Sequence, residues 1–313
     1  MFDSLSLTQE PESAFVQIDG RRLHYLAWSP DAQTSASDAI PLVLLHALAA
    51  TADTWKLLAD HLGQQHTVVA FDLPGHGQND PPASDYDFAM KTVAEEVVRG
   101  MAALGLGQVA LVAHGWGTRI ALALAARHPA LVSHLVLVDG LHIDPKHWPG
   151  MTRERFIRQA LPQEFFVSRS AFLSAMQREM ADSWSSEVEA ILLAHIRELP
   201  DGTVEERLRP ADRRRIREAL WEDRALLYYS KVRCPVLLVQ PSIEPTEGSE
   251  PPEQLEHAED FSLAKAYMAL QVARAIRRCS LLWLPETAHD IQLHRPQLLA
   301  EAIINFVREQ ENV

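Results

Sequence analysis

Short, uninterrupted apolar runs alternate with helix-like segments along most of this chain, and that alternation limits what it can fold into more than any other feature. Pro41 to His46, Thr67 to Phe71, Gln108 to Ala113 and Val132 to Val138 are such runs, separated by helical patterns over Trp55 to Leu62, Ala89 to Leu104 and Gly117 to Arg127. A strand that is apolar at successive positions must be buried on both faces, so helices have to cover both sides of a mostly parallel sheet. Ala14 to Ile18 and Leu23 to Trp28 predict an opening hairpin around Asp19-Gly20. The alternation breaks after Asp139-Gly140. From Leu141 to about Tyr229 the residues read as helices punctuated by Pro149, Pro162 and Pro200-Asp-Gly202, before Pro235 to Gln240 resumes the sheet. Glu259 to Arg277, Ser280 to Leu284 and Pro296 to Arg308 predict a helix, strand, helix ending. The expectation is an α/β fold in three stretches: 1–140 as the first part of the core, 141–230 as an inserted helical lid, and 231–313 as the rest of the core.

The 313 residues suffice for one large α/β domain with an insertion, and 47% hydrophobic against 23% charged residues allows a sizeable core. Lys and Arg total 29 against 42 Asp and Glu, a net charge of -13, which argues against nucleic acid or an anionic membrane as partner. The first ten residues lack the basic and apolar regions of a signal peptide, and no apolar run is long enough to cross a bilayer, so the cytoplasm is the expected compartment. A homodimer is kept as an option. Cys234 and Cys279 stand alone at the start of predicted strands and read as buried structural thiols; no metal site and no organic cofactor are expected.

The stretch Leu111-Val-Ala-His-Gly-Trp-Gly-Thr118 has the strand, tight turn and helix context of a nucleophile elbow, with small residues at Ala113 and Gly117. Glycine stands at 115, where that motif carries its nucleophile. Further motifs follow in order: Leu44-Leu-His-Ala47 with Trp55, Asp72-Leu-Pro-Gly-His-Gly77, the Val239 to Pro245 loop, and Pro285-Glu-Thr-Ala-His-Asp290. Together they resemble the α/β-hydrolase fold family over nearly the whole chain.

The resemblance implies the following site. His289 is the general base, Glu244 the acid that orients it, and Asp139 the substitute acid, since members of the family use either position. The backbone N–H groups of Leu48 and Trp116 are the oxyanion donors. Ala47 replaces an expected glycine, which strains the loop if a positive φ is needed there and is otherwise harmless. His46, Ala47, His114, Trp148 and Tyr228 are placed in the substrate pocket, with packing as the main role of His114. Arg119 is expected to form a salt bridge and Asp290 to be a solvated loop charge. Aromatic residues of the insertion, among them Phe156, Phe165 and Phe166, are expected to roof the pocket over a small, mostly apolar carbonyl compound. Arg213-Arg-Arg215 with Arg217 reads as an outer helical face.

Gly115 excludes the ordinary acyl-enzyme route. A carboxyl ester or lactone hydrolase lineage lacking its nucleophile is the leading expectation. A cofactor-free, non-covalent enzyme of lyase or oxygenase type using His289, or a non-catalytic small-molecule binding protein, are the alternatives.

Overall fold

In the computed structural model, which describes residues 9–30, 39–140, 144–148, 150–158, 167–246, 250 and 258–309, ten strands form. They are β1 (Glu12–Ile18), β2 (Arg21–Trp28), β3 (Leu42–Leu45), β4 (Val68–Phe71), β5 (Val109–Gly115), β6 (Val132–Gly140), β7 (Ile196–Glu198), β8 (Val204–Glu206), β9 (Val236–Gln240) and β10 (Cys279–Trp283). Eight of them make one sheet in the order β1-β2-β4-β3-β5-β6-β9-β10. β2 is antiparallel to both β1 and β4, and all other pairs are parallel. The predominantly apolar strands β3, β4, β5 and β9 are buried at every residue, as double coverage requires.

Alternate side chains of these strands feed two cores, because successive Cβ atoms point to opposite faces. Val43, Leu45, Phe71 and Leu111 pack with α2 (Met90–Ala103) and α3 (Trp116–Arg127), whereas Leu42, Leu44, Ala70 and Val112 pack with α1 (Lys56–Leu62) and α10 (Pro296–Glu309). β4 and β5 lie on opposite sides of β3, so the chain changes direction across the sheet there. A crevice at the carboxyl ends of strands flanking such a switch is where α/β sheets place their ligands.

The insertion between β6 and β9 contains α4 (Arg153–Arg158), α5 (Arg169–Met180), α6 (Ser186–Ala194), α7 (Pro210–Glu222) and α8 (Leu226–Tyr229). It is not wholly helical: β7 and β8 form a small antiparallel hairpin whose turn holds Pro200-Asp-Gly202, with Gly202 at φ 82°. Three-residue strands are too short to show a period, but Ile196 and Val204 are buried in a cluster with Phe172, Ile191, Leu57 and Leu293 that ties the insertion to the core. Phe165, Phe166, Pro149, Pro162 and 141–143 lie outside the described residues. No helix among the described residues is long and apolar enough to cross a membrane.

Arg119 of α3 is fully buried and pairs with Asp144 and Asp223, both at 2.9 Å. Asp144 also accepts from the Ala225 N–H at 2.8 Å, and Asp223 from the Tyr228 hydroxyl at 2.7 Å. One guanidinium therefore clamps the two ends of the insertion to the core. Arg119→Met should leave buried carboxylates without their countercharge and cost about 3–5 kcal/mol. Urea denaturation measures this. A loss within the range of an exposed pair, below about 1 kcal/mol, would contradict the clamp.

Candidate active site

Five strand ends converge on a cavity of about 500 Å³ at the switch point. Its wall includes Ala47 and Leu48 after β3, Gly115 and Trp116 at the β5 to α3 turn, and Asp139 and Gly140 ending β6. Gln240, Pro241 and Ser242 at the end of β9 and Thr287 and His289 after β10 complete the core side. The insertion adds Trp148, Phe156, Arg213, Arg217 and Leu220, and α9 (Ala258–Ala275) adds Lys265.

His289 meets Asp139: the imidazole Nδ1–H donates to Oδ2 at 2.6 Å, which leaves the Nε2 lone pair facing the cavity. Glu244 does not hold this place. It is exposed on the loop after β9, and the carboxylate that reaches the ring is Asp139, 1% exposed on the neighbouring strand and held at a backbone φ of 27°. The second Asp139 oxygen is ion-paired to Lys265. Burial by itself drives the Asp139 carboxyl up, but the Lys265 ammonium and His289 outweigh it and hold the group well below the usual carboxylate range. For His289, burial opposes the charged ring; the charge and hydrogen bond of Asp139 win and raise its pKa, with Lys265 pulling the other way.

His114 is not in the cavity wall. It is buried beneath His289, where its Nε2–H donates to the His289 carbonyl at 3.1 Å and its ring lies 4.5 Å from the His289 ring. Burial first, and then the His289 charge, push its pKa down to about 4, so it is a neutral prop for the histidine loop. Asp290 keeps a side chain 39% exposed, as expected of a loop charge, and also accepts from Gln292 Nε2 at 3.1 Å. His46 is likewise fully buried behind the wall. Its Nδ1–H donates to the Ala47 carbonyl at 2.7 Å and its Nε2 accepts from the Leu73 N–H at 2.9 Å. Tyr228 is spent on Asp223 at the base of the insertion. Of the five residues assigned to the pocket from sequence, Ala47 and Trp148 line it.

The loop after β3 is held from below. His76 accepts the Ala49 N–H at 3.0 Å and stacks on the Trp116 ring at 5.3 Å; burial, then the charge of His46, lower its pKa to about 3. The positive φ in this loop falls at Ala49, at 67°, and not at Ala47. Trp116 opens α3, and the first amides of a helix have no partner within it, so its N–H is available at the positive end of the helix dipole.

Gly115 has φ 54°, and a Cβ built there would lie 2.6 Å from the Ala47 Cβ and 3.9 Å from His289 Nε2. Carbon atoms pack at about 3.5–4.0 Å. The Ala47 methyl therefore already fills the place where a side chain at 115 would begin. Gly117 is required for another reason: a Cβ there would come within 2.4 Å of the Leu45 carbonyl oxygen, where α3 leaves the sheet beside β3.

Sequence reasoning missed the cations. Arg213 and Arg217, spaced i and i+4 on α7, face the cavity. Arg214 points outward to Glu218, and Arg215 packs over the Phe88 ring at 5.1 Å and bonds the Tyr86 carbonyl. The i, i+4 spacing was the available signal; Lys265 offered none. Neither cysteine lines the cavity, and burial pushes both thiols up to about 12.

The chain belongs to the α/β-hydrolase fold family, whose model matches residues 40–258. It is similar to epoxide hydrolase 3 of Xenopus tropicalis, 29% identical over 155 residues, 49% of this chain and 38% of that protein. A soluble epoxide hydrolase of Corynebacterium sp. (strain C12) is 32% identical over 122 residues, 39% of each chain. The matched segments thus span about two fifths of these relatives. The crystal structure of E-2-(acetamidomethylene)succinate hydrolase superposes with a TM-score of 0.72 at 18% identity, covering 96% of this chain and 100% of that one, a likeness of fold.

Proposed function

We propose that the protein is a cofactor-independent enzyme of hydrolase lineage that works without a covalent nucleophile, with His289 activating water against an ester or lactone carbonyl. The observation that carries this reading is the pairing of Ala47 with Gly115 beside a complete His289 and Asp139 dyad. A hydrolase disabled at one position would keep room for the lost side chain, whereas here a methyl has taken that room. In the proposed step, His289 Nε2 takes a proton from water as the water oxygen bonds the carbonyl carbon. The carbonyl electron pair moves onto oxygen, where the Leu48 and Trp116 N–H groups receive the developing charge. Collapse of the tetrahedral species breaks the bond to the leaving alcohol, which takes the proton from the His289 imidazolium. Asp139 fixes the tautomer and balances the imidazolium.

Steady-state hydrolysis of a panel of activated esters and lactones tests this. Turnover should have a kcat/KM that falls on the acid side as His289 protonates, with the limb above the ordinary imidazole value of about 6.5. No turnover across the panel, or rates indifferent to pH there, would overturn it. Lys265→Met removes a positive charge beside the dyad, so the imidazolium gains stability and the acid limb should move to higher pH. A limb that stays in place or moves down would show that Lys265 does not act on the dyad.

A further inference from the structure

The described cavity wall carries three cations, Arg213, Arg217 and Lys265, against one carboxylate, Asp139, in a chain whose net charge is -13. Among the described lining residues, cations thus outnumber carboxylates. Asp139 pairs with Lys265, and the guanidinium groups of Arg213 and Arg217 lie on the α7 side of the same wall. Arg213 is backed by Glu206, with both side chains about 15% exposed, which fixes the guanidinium in place. Arg217 is fixed by the Phe156 carbonyl at 2.5 Å and lies over the Phe156 ring at 5.1 Å. Two like charges one helical turn apart repel each other. In keeping with this, burial and then the charge of Arg213 lower the Arg217 pKa to about 10. Across the same cavity, Ser242 is 8% exposed, and its buried hydroxyl has no hydrogen-bond partner among the described residues. Ala47, Leu48, Trp116, Trp148, Phe156 and Leu220 supply the apolar remainder of the wall.

We propose that this cavity takes a carbonyl compound bearing a carboxylate, the anionic end held by Arg213 and Arg217 and the apolar body lying along Trp148 and Phe156. This rests on the reading that the cavity is a substrate site. A guanidinium pair suits a carboxylate because it presents several N–H donors in a fixed fork, and an anion between the two relieves their repulsion. Ser242 offers one further donor to the bound polar group.

Calorimetric titration of the unaltered protein with glutarate and with the neutral isostere glutaramide tests the proposal without requiring turnover. Glutarate should bind about tenfold tighter or more, and the preference should weaken with salt. Arg217→Met should abolish the preference, Arg217→Lys should retain part of it, and Arg214→Met, on the outer face of α7, should leave it intact. Circular dichroism shows that each variant is folded, and the Lys variant keeps the test valid if the Met variant is not. Equal affinity for the two ligands, no binding of glutarate, or a preference that survives Arg217→Met would overturn the proposal. Binding with this pattern but no turnover would instead count against the function proposed above.

Discussion

Replacing His289 by Ala should lower kcat/KM by about 10²–10⁴-fold, the range that a positioned general base contributes. The imidazole presents its free nitrogen to the place where a reacting atom would sit, with Nε2 3.9 Å from the Cβ position at 115. Asp139→Asn should cost about 10²-fold or more for a different reason. The amide can donate to Nδ1, which favours the tautomer carrying its proton on Nε2 and leaves no lone pair for water. It also removes the charge that raises the His289 pKa, so residual activity should extend to lower pH. Glu244→Gln should have little effect, because Glu244 is exposed and the ring is already held by Asp139. Steady-state kinetics of the three variants decide the matter. A Glu244→Gln loss equal to that of Asp139→Asn would reassign the orienting acid.

The second large effect concerns positions 47 and 115 together. Gly115→Ser alone should be destabilised by on the order of 2 kcal/mol or more, since it combines a side chain at positive φ with overpacking against Ala47. It should react poorly with a fluorophosphonate, because the 2.6 Å approach of the two Cβ positions forces the new side chain or the loop out of line. Adding Ala47→Gly removes the methyl and should recover both part of the stability and the labelling. Ala47→Gly by itself should not label. The four combinations form a cycle in which the two changes are strongly non-additive, as expected for residues in direct contact. Labelling of Gly115→Ser at the rate of the double variant would mean that Ala47 is no obstacle.

Much of the scaffold was legible because its causes are local. β3, β4, β5 and β9 are apolar at nearly every residue, and only a doubly covered sheet satisfies that pattern. The β7 and β8 hairpin was not, since three residues carry too little periodicity to compete with the helical segments around them. Within the site, His289 was placed by its position after the last strand, but its partner could not be chosen from sequence. Glu244 and Asp139 both follow or end a strand, and which one reaches the ring depends on a bulge in the pairing of β5 with β6 and on the Asp139 backbone angle. The contact between Ala47 and Gly115 is equally invisible in the chain. Two unusual residues 68 positions apart read as separate departures until the fold sets them face to face. In the sequence Arg213 and Arg217 read as an outer face because acidic neighbours surround them, and only the packing of α7 shows which arginines those neighbours serve.

The most direct test of a nucleophile-free reaction is intact-mass analysis of the unaltered protein, quenched while it is turning over an activated ester. The expected result is product accumulating with the protein mass unchanged at every time point, and no product from His289→Ala under the same conditions. An acyl adduct on the protein, or product formation undiminished in His289→Ala, would contradict it.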